Sequence, residues 1–287
     1  MKHRFQIAKS PRLITKLAES YRLKGMKVGL VPTMGALHEG HLSLIRKSSQ
    51  QNDITIVSIF VNPTQFGPSE DFARYPRTFK SDCAKAKSAG ADIIFHPTVN
   101  DIYPDVFQTF VDPGPIADKL EGAARPGHMR GVATICLKLF SICKPHNAYF
   151  GQKDAQQLAV IGSIVHDLNL DLKIVRCPIA RTKTGIALSS RHAYLSASDM
   201  KKAEVIYDSL KLAKKLIAEG ETDCGQIKTE MTGLIKTAPE VKIEYISFNS
   251  WDDLAETDSI ISKTLISMVV VINNVRLLDN IIVSLKI

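Results

Sequence analysis

Two histidines, His38 and His41, stand three residues apart around a glutamate and a glycine in the stretch TMGALHEGHLSLI, from Thr33 to Ile45. Three chemistries use such a pattern. A zinc-binding helix needs HExxH, with its histidines at i and i+4 on one face; here the spacing is i, i+3 with glycine between, which argues against it. A Walker-type phosphate loop is suggested by Gly35 and Gly40, but His41 stands where lysine belongs and Leu42 where serine or threonine belongs. The third is a pair of imidazoles at the start of a helix, donating hydrogen bonds to a polyphosphate and supporting the extra charge of a pentacoordinate transition state. Taken alone, the motif reads equally well as two partly exposed turn histidines.

The elements around it favour the third use. KVGLVPT reads as a strand that leads into a glycine-containing turn and then a helix starting near His41. Ligands of open parallel sheets sit at the carboxyl ends of strands, against helix N-termini whose N–H groups attract phosphate. The rhythm continues as HLSLIRKSSQ, ITIVSIFVN, a helix near Thr78 to Ser88, then ADIIFHP. Farther on come the buried helix GVATICLKLFSICK, the strand NAYFG, the helix AQQLAVIGSIVHDL and the strand LKIVRCPI. This alternation predicts an α/β fold, a doubly wound parallel sheet persisting to about Ala180. After the polar stretch RTKTGIALSSRHAYLSASD the pattern changes to helices near Asp199 to Ala218 and Cys224 to Thr237. The strands KIEYISFN, ISMVVVIN and IIVSL follow, giving a smaller α+β domain. The boundary is placed near residues 178–184, with domains at 1–180 and 181–287.

Composition narrows the function classes. With 45% hydrophobic and 23% charged residues, the 287-residue chain carries enough apolar material for a packed core and is neither disordered nor a membrane protein. The net charge of +8 raises the question of a nucleic-acid partner. Lysines and arginines are scattered, however, with no block longer than a pair such as Lys201-Lys202, so the expectation is no nucleic acid and no membrane partner. The N-terminal MKHRFQIAKS lacks the apolar run of a secretory signal, which points to the cytoplasm. Five cysteines (Cys83, Cys136, Cys143, Cys177, Cys224), odd in number and without CxxC spacing, read as reduced core thiols.

HEGH between a strand and a helix resembles the HIGH-type signature of the nucleotidyltransferase superfamily. More narrowly, PTMGALHEGHLSLI, VSIFVNPTQFGPSEDFARYPRT, EGAARPGHMRGVATI, FGQKDAQQLAVI and IALSSRHAYLS, in this order, closely resemble the pantothenate synthetase (pantoate–β-alanine ligase) family, densely over residues 28 to about 196. The resemblance implies a Rossmann-like first domain and a two-step reaction. ATP and D-pantoate would give an enzyme-bound pantoyl adenylate and pyrophosphate; the β-alanine amine would then displace AMP to give pantothenate. It also implies a homodimer, with Mg²⁺ accompanying ATP.

Carried over residue by residue, the resemblance makes Met34, Gly35, Ala36, Leu37, His38, Glu39, Gly40 and His41 an ATP-binding segment. His41 falls at the proton-donor position, and His38 is assigned to phosphate contact and transition-state support. Gly151, Gln152, Lys153 and Asp154 would form a second nucleotide loop, with Lys153 the cation on the transferred phosphates and Asp154 also able to cap the next helix. Leu188, Ser189, Ser190 and Arg191 look like the counterpart of the mobile KMSKS loop, and Ala180 joins the nucleotide contacts. Gln65 and Gln157 match the positions that hold pantoate, Gln65 also lying near the β-alanine path. Asp82 matches a carboxylate that holds Mg²⁺. His128 and Arg130 fall in a matched motif with substrate-side and structural roles both open. The chain departs from the family pattern at His192, where asparagine is common, and at INNV before RLLDN, where a glycine-containing segment is common. Another nucleotidyltransferase with an HxGH core, or a basic RNA-binding module that has lost catalysis, are the competing readings.

Overall fold

The computed structural model describes residues 4–68 and 70–285. The chain divides into two compact units: Met1–Gly151 with Gln156–Pro178, and Gln152–Ala155 with Ile179–Ile287.

In the first unit the strands are β1 (Gln6–Ala8), β2 (Val28–Thr33), β3 (Ile54–Ile59), β4 (Ile93–Phe95), β5 (Asn147–Gly151) and β6 (Lys173–Cys177). They form one parallel sheet in the order β1-β4-β3-β2-β5-β6. The helices between them are α1 (Pro11–Leu23), α2 (Glu39–Gln51), α3 (Phe79–Ser88), the short α4 (Val99–Ile102) and α5 (Leu120–Ala124), α6 (His128–Cys143) and α7 (Ala155–Asp167). The doubly wound sheet is as the alternation of apolar runs predicts. The sequence reading starts at KVGLVPT, however, and misses β1 and α1. β1 is only three residues long, too short for periodicity to register.

The central strands are buried on both faces, which is why they read as continuous rather than alternating apolar runs. On one face, Leu44 and Ile45 of α2 and Ala86 of α3 pack against Val31, Val57, Ile94 and Tyr149. The alternate residues Leu30, Ile56, Ile93 and Ala148 are equally buried, so the other face is covered too.

A polar seam fixes α2 against this sheet. Ser48 Oγ and Thr55 Oγ1 are hydrogen-bonded at 2.9 Å, Asn52 Nδ2 donates to Tyr149 Oη (2.7 Å), and Asn147 Nδ2 donates to Asn52 Oδ1 (2.7 Å). The seam is possible because β2 carries Gly29. A Cβ there would lie 2.3 Å from Ser48 Oγ and 2.5 Å from Asn52 Nδ2.

In the second unit, β7 (Lys242–Ser250), β8 (Thr264–Ile272) and β9 (Val275–Val283) form an antiparallel sheet in that order. The helices are α8 (Ala197–Lys202), α9 (Glu204–Ala218) and α10 (Cys224–Ile235). Its core brings Ile206, Leu210 and Ile217 of α9 and Ile227 and Met231 of α10 against Met268 and Val270. Where one helix is expected from Asp199 to Ala218, the chain forms two, joined at Ala203; Ser196 starts the first through a capping box with Asp199. The last strand is expected at IIVSL but begins six residues earlier, at Val275.

All five cysteines are free thiols, four of them buried. Among the described residues no helix is long and apolar enough to cross a membrane.

Gly29→Ala is expected to break the seam and to destabilise the protein by about 1–3 kcal/mol, as overpacking does in tight cores. Chemical denaturation of the variant measures this directly. A stability equal to that of the parent protein would show that α2 can move away from the strand at no cost.

Candidate active site

The chain leaves β2 at Thr33 and turns before α2 begins. The turn uses two consecutive positive φ values, Gly35 at +86° and Ala36 at +51°, the second disfavoured for any residue with a Cβ. A buried carboxylate holds it. Asp82 of α3, 1% exposed, accepts from Ala36 N–H through Oδ2 (3.0 Å) and from Leu37 N–H through Oδ1 (2.8 Å); Thr78 Oγ1 adds a third bond at 3.1 Å. One turn farther along α3, Lys85 Nζ donates to the Leu37 carbonyl (2.8 Å). Turn and helix are thus tied at both donors and acceptor.

This arrangement delivers the two histidines. His38 is the N-cap of α2, its Nδ1 accepting from Gly40 N–H (3.1 Å), and His41 closes the box by accepting from His38 N–H through its own Nδ1 (3.4 Å). The ring centroids lie 4.1 Å apart with the planes inclined by 40°. Because both Nδ1 atoms act as acceptors, the neutral tautomer of each ring carries its hydrogen on Nε2. Both imidazoles are Nε2–H donors at the N-terminus of a helix, the end whose dipole favours anions. Glu39, in the first turn, pairs with Arg46.

Asp82, for which the resemblance implies a metal role, has a structural one here. Its oxygens already serve two backbone amides and a hydroxyl, and among the described residues no group of three or more His, Cys, Asp or Glu side chains could hold a metal ion. The carboxylate braces the turn, and it also lines a cavity at the ends of β2, β3 and β4.

Gln65 ends a short 3₁₀ turn (Pro63–Gln65) after β3 and is 8% exposed. Its side-chain amide is oriented at both ends: Oε1 accepts from Asn62 Nδ2 (3.0 Å), and Nε2 donates to Met34 Sδ (3.0 Å). Asn62 Nδ2 also reaches the Gly131 carbonyl (3.2 Å). Gly131 lets α6 lie directly on this turn, since a Cβ there would fall 2.2 Å from the Thr64 carbonyl oxygen.

His128, at the start of α6, holds the same turn from another side. Its Nδ1–H donates to the Gln65 carbonyl (2.7 Å), and its Nε2 accepts from Arg125 Nη1 (3.0 Å). Arg125 in turn makes a bidentate pair with Glu70 (2.8 and 2.6 Å). Burial, with the Arg125 guanidinium second, pushes the His128 imidazole down to about 4, so the ring stays neutral. Of the two roles left open for His128, the structural one is occupied. Arg130 is exposed, its guanidinium stacked 4.2 Å over the Phe110 ring.

Gln157 is partly buried in the first turn of α7. Its neighbour Gln156 is the structural one, bonding the Ile116 and Lys119 carbonyls and the Gly122 amide. A cavity of about 270 Å³ opens at the carboxyl ends of β2, β3 and β4, lined by Met34, Gly35, Phe60, Phe72, Phe79 and Asp82 among others. Neither Gln65 nor Gln157 lines it.

In the second unit, Gln152–Asp154 form a 3₁₀ turn just after Gly151, the last residue of β5. Lys153 Nζ lies 3.8 Å from Asp154 Oδ1. Asn280 of β9 holds the backbone of this turn, its Nδ2 donating to the carbonyls of Gln152 (3.1 Å) and Lys153 (2.8 Å). The segment before the Ser-Ser-Arg sequence is a small hairpin: Leu188 N–H donates to the Ala180 carbonyl (2.9 Å), and Arg181 bridges Ala187. Ser189 then caps the 3₁₀ turn Ser190–Tyr194 by accepting from Arg191 N–H (3.2 Å).

Arg181 makes a bidentate pair with Asp279, 2% exposed, and also donates to the Gly185 carbonyl (2.9 Å). Burial pushes the Asp279 carboxyl up, and the Arg181 hydrogen bonds and charge pull it back. His192, the residue at which the chain departs from the pattern of its motif, has Nε2 buried without a hydrogen-bond partner. Burial first and the Lys153 ammonium second hold its imidazole below the ordinary histidine range.

The structure thus gathers Met34 to His41, Gln65, Asp82 and His128 around the ends of β2 and β3, and Lys153, Ser189 and His192 line one small pocket of the second unit with Asp279. Sequence reasoning missed Asn62, Glu70, Arg125, Asp279 and Asn280. For the last two a signal existed: an acid and an amide interrupting the apolar run VRLLDNIIV.

Comparison with known proteins shows the family. A family model described as pantoate-beta-alanine ligase matches residues 6–282. The pantothenate synthetase of Caldicellulosiruptor saccharolyticus is 51% identical over 268 residues, covering 93% of this chain and 95% of the relative. Among solved structures, pantothenate synthetase from Thermus thermophilus superposes with a TM-score of 0.91 at 35% identity, covering 96% of this chain and 99% of that one. The pantoate-beta-alanine ligase of Francisella tularensis, complexed with beta-gamma ATP and beta-alanine, matches with a TM-score of 0.80 at 36% identity, covering 97% of both chains.

The His128 contacts make a pH prediction. In the unfolded chain this histidine protonates near 6.5, and in the folded one only near 4, so the unfolded state binds the proton first. Stability should be unaffected above pH 6.5 and fall as pH drops from 6.5 towards 4. Between pH 7.5 and 4.5 the parent protein should lose on the order of 2–3 kcal/mol more than His128→Gln, read from urea unfolding. Identical pH dependence in the two proteins would contradict the buried, neutral ring.

Proposed function

The chain belongs to the pantoate–β-alanine ligase family, and from that premise we propose that it makes pantothenate from D-pantoate and β-alanine in two steps. ATP first converts the pantoate carboxylate to an acyl adenylate with release of pyrophosphate; the β-alanine amine then attacks the acyl carbon and AMP leaves. A carboxylate is a poor acyl donor because its own oxygen leaves badly, and adenylation replaces that oxygen with a good leaving group. The remaining task is positioning, charge stabilisation and exclusion of water from the mixed anhydride.

The single observation that carries this reading is the pair of Nε2–H imidazoles at the N-terminus of α2, held by the Asp82-braced turn. On this reading His38 and His41 donate to phosphate oxygens, with His41 the proton donor as charge builds during adenylation, and Met34 to Gly40 line the nucleotide. Lys153 supplies the cation on the transferred phosphates, with Gly151, Gln152 and Asp154 beside it, and Ala180 and Leu188 to Arg191 complete the nucleotide contacts. Gln65 and Gln157 select pantoate by its hydroxyl and carboxyl groups, since a buried amide left without its partner is costly. The ligands in the Francisella tularensis structure support ATP and β-alanine as ligands here. Mg²⁺ is proposed to enter with ATP, held by phosphate oxygens and water as this ion commonly is. A cytoplasmic homodimer is the assembly proposed.

The decisive experiment follows pyrophosphate release from ATP and D-pantoate with and without β-alanine, with AMP and pantothenate as products. Adenylate formation without the amine, and sustained AMP release with it, are expected; no pantoate-dependent pyrophosphate release from folded protein would overturn the reading. His41→Ala should lower the adenylation rate by roughly 10²–10³-fold with the fold intact, and unchanged turnover would remove the proton-donor role. Gln157→Ala should raise KM for pantoate more than KM for ATP. Equal changes in both would argue against a pantoate contact.

A further inference from the structure

β9 breaks its own apolar pattern at Asp279 and Asn280, and both side chains are almost fully buried, at 2% and 1% exposure. Successive strand residues point to opposite faces, so the two reach different parts of the second unit. On the core face, with Leu277, Asp279 takes the Arg181 guanidinium (2.5 and 2.9 Å) at the base of the hairpin that leads to Ser189–Arg191. On the opposite face the neighbouring residues Leu278 and Ile282 are only partly buried, yet Asn280 is closed off because the Gln152–Asp154 turn lies over it.

The amide of Asn280 is used at both ends. Nδ2 spends its two hydrogens on the consecutive carbonyls of Gln152 and Lys153, and Oδ1 accepts from Gln152 Nε2 at 3.3 Å. Three bonds to one turn are more than capping requires, and they fix the main chain from which the Lys153 side chain departs. No other residue type of this size offers two donors and an acceptor: aspartate lacks the donors, leucine lacks both.

We propose that Asn280 is a positioning residue for adenylation: through the carbonyls of Gln152 and Lys153 it sets where the Lys153 ammonium stands. This rests on the reading of Lys153 as the cation on the transferred phosphates. The physical requirement is strict, because a charge displaced by about 1 Å from the group it stabilises can cost on the order of a hundredfold in rate. Asp279, anchored to the same strand position by its bond to the Asn280 amide (2.7 Å), ties the hairpin before Ser189 to the same point.

The test compares Asn280→Asp and Asn280→Ala, each in the parent protein and in a Lys153→Ala background, measuring pantoate-dependent pyrophosphate release with kcat and KM resolved. Thermal unfolding of every variant identifies those that fold, and the aspartate and alanine forms perturb packing so differently that one serves where the other does not fold. In the parent background kcat for adenylation should fall roughly tenfold or more with KM for pantoate little changed. In the Lys153→Ala background the same substitution should have no further effect. An equal loss in both backgrounds, or near-parental kcat in the folded Asn280→Asp protein, would overturn the proposal. Unchanged adenylation by Lys153→Ala alone would instead defeat the reading of Lys153, and that result is visible before Asn280 is touched.

Discussion

The arrangement of the first unit depends on one buried carboxylate meeting two backbone amides. The turn between β2 and α2 needs two successive residues with positive φ, and one of them is alanine, a conformation that costs of order 1–3 kcal/mol unless the surroundings hold it. Asp82 holds it, taking the Ala36 and Leu37 N–H groups from a different helix. Hydrogen bonds to an ionised acceptor are the stronger kind, and a buried carboxylate left without donors would be costly, so turn and acid stabilise each other. The position of α2 follows from the turn, and the direction of His38 and His41 follows from α2. Gly29 and the seam from Ser48 to Tyr149 then keep that helix against the sheet.

The same device recurs at the other candidate groups. Gln65 is oriented by Asn62 and carried by a main chain that His128 grips; Lys153 stands on a main chain that Asn280 grips. In each case a polar side chain from a distant element, His128 or Asn280, holds the backbone from which the candidate side chain departs. The cost is that every brace must be fully satisfied, and the bonds around Asp82, His128 and Asn280 meet that demand.

How much of this is legible in the sequence follows from where the signal lives. The parallel sheet announces itself because strands buried on both faces read as unbroken apolar runs; the histidine pair, which alone reads equally well as two turn histidines, takes its meaning from the strand and helix around it and from the family resemblance. The N-terminal strand, only three residues long, escapes, and the 13-residue helix after it is missed with it. The last strand is expected too late because Asp279 and Asn280 look like a break; only their partners, Arg181 and the Gln152–Lys153 carbonyls, make them compatible with a strand. Asp82 enters the sequence reading only through the resemblance, as a metal ligand, and its bracing of the turn stays hidden. Its amide partners lie 45 and 46 residues away, and no local pattern could reveal them.

The bond from Asn280 to the Lys153 carbonyl spans 127 residues of chain. Proteins are made from the N-terminus and fold as their parts emerge. The first unit's sheet has all its strands once Cys177 has left the ribosome, but the turn carrying Lys153 must wait, with its carbonyls in water, for β9. A nascent or prematurely ended chain can therefore display the histidine pair in a finished sheet while lacking a fixed lysine. On the proposed reading of Lys153, competence for adenylation arrives late in synthesis, with the strand farthest in sequence from the residues it completes.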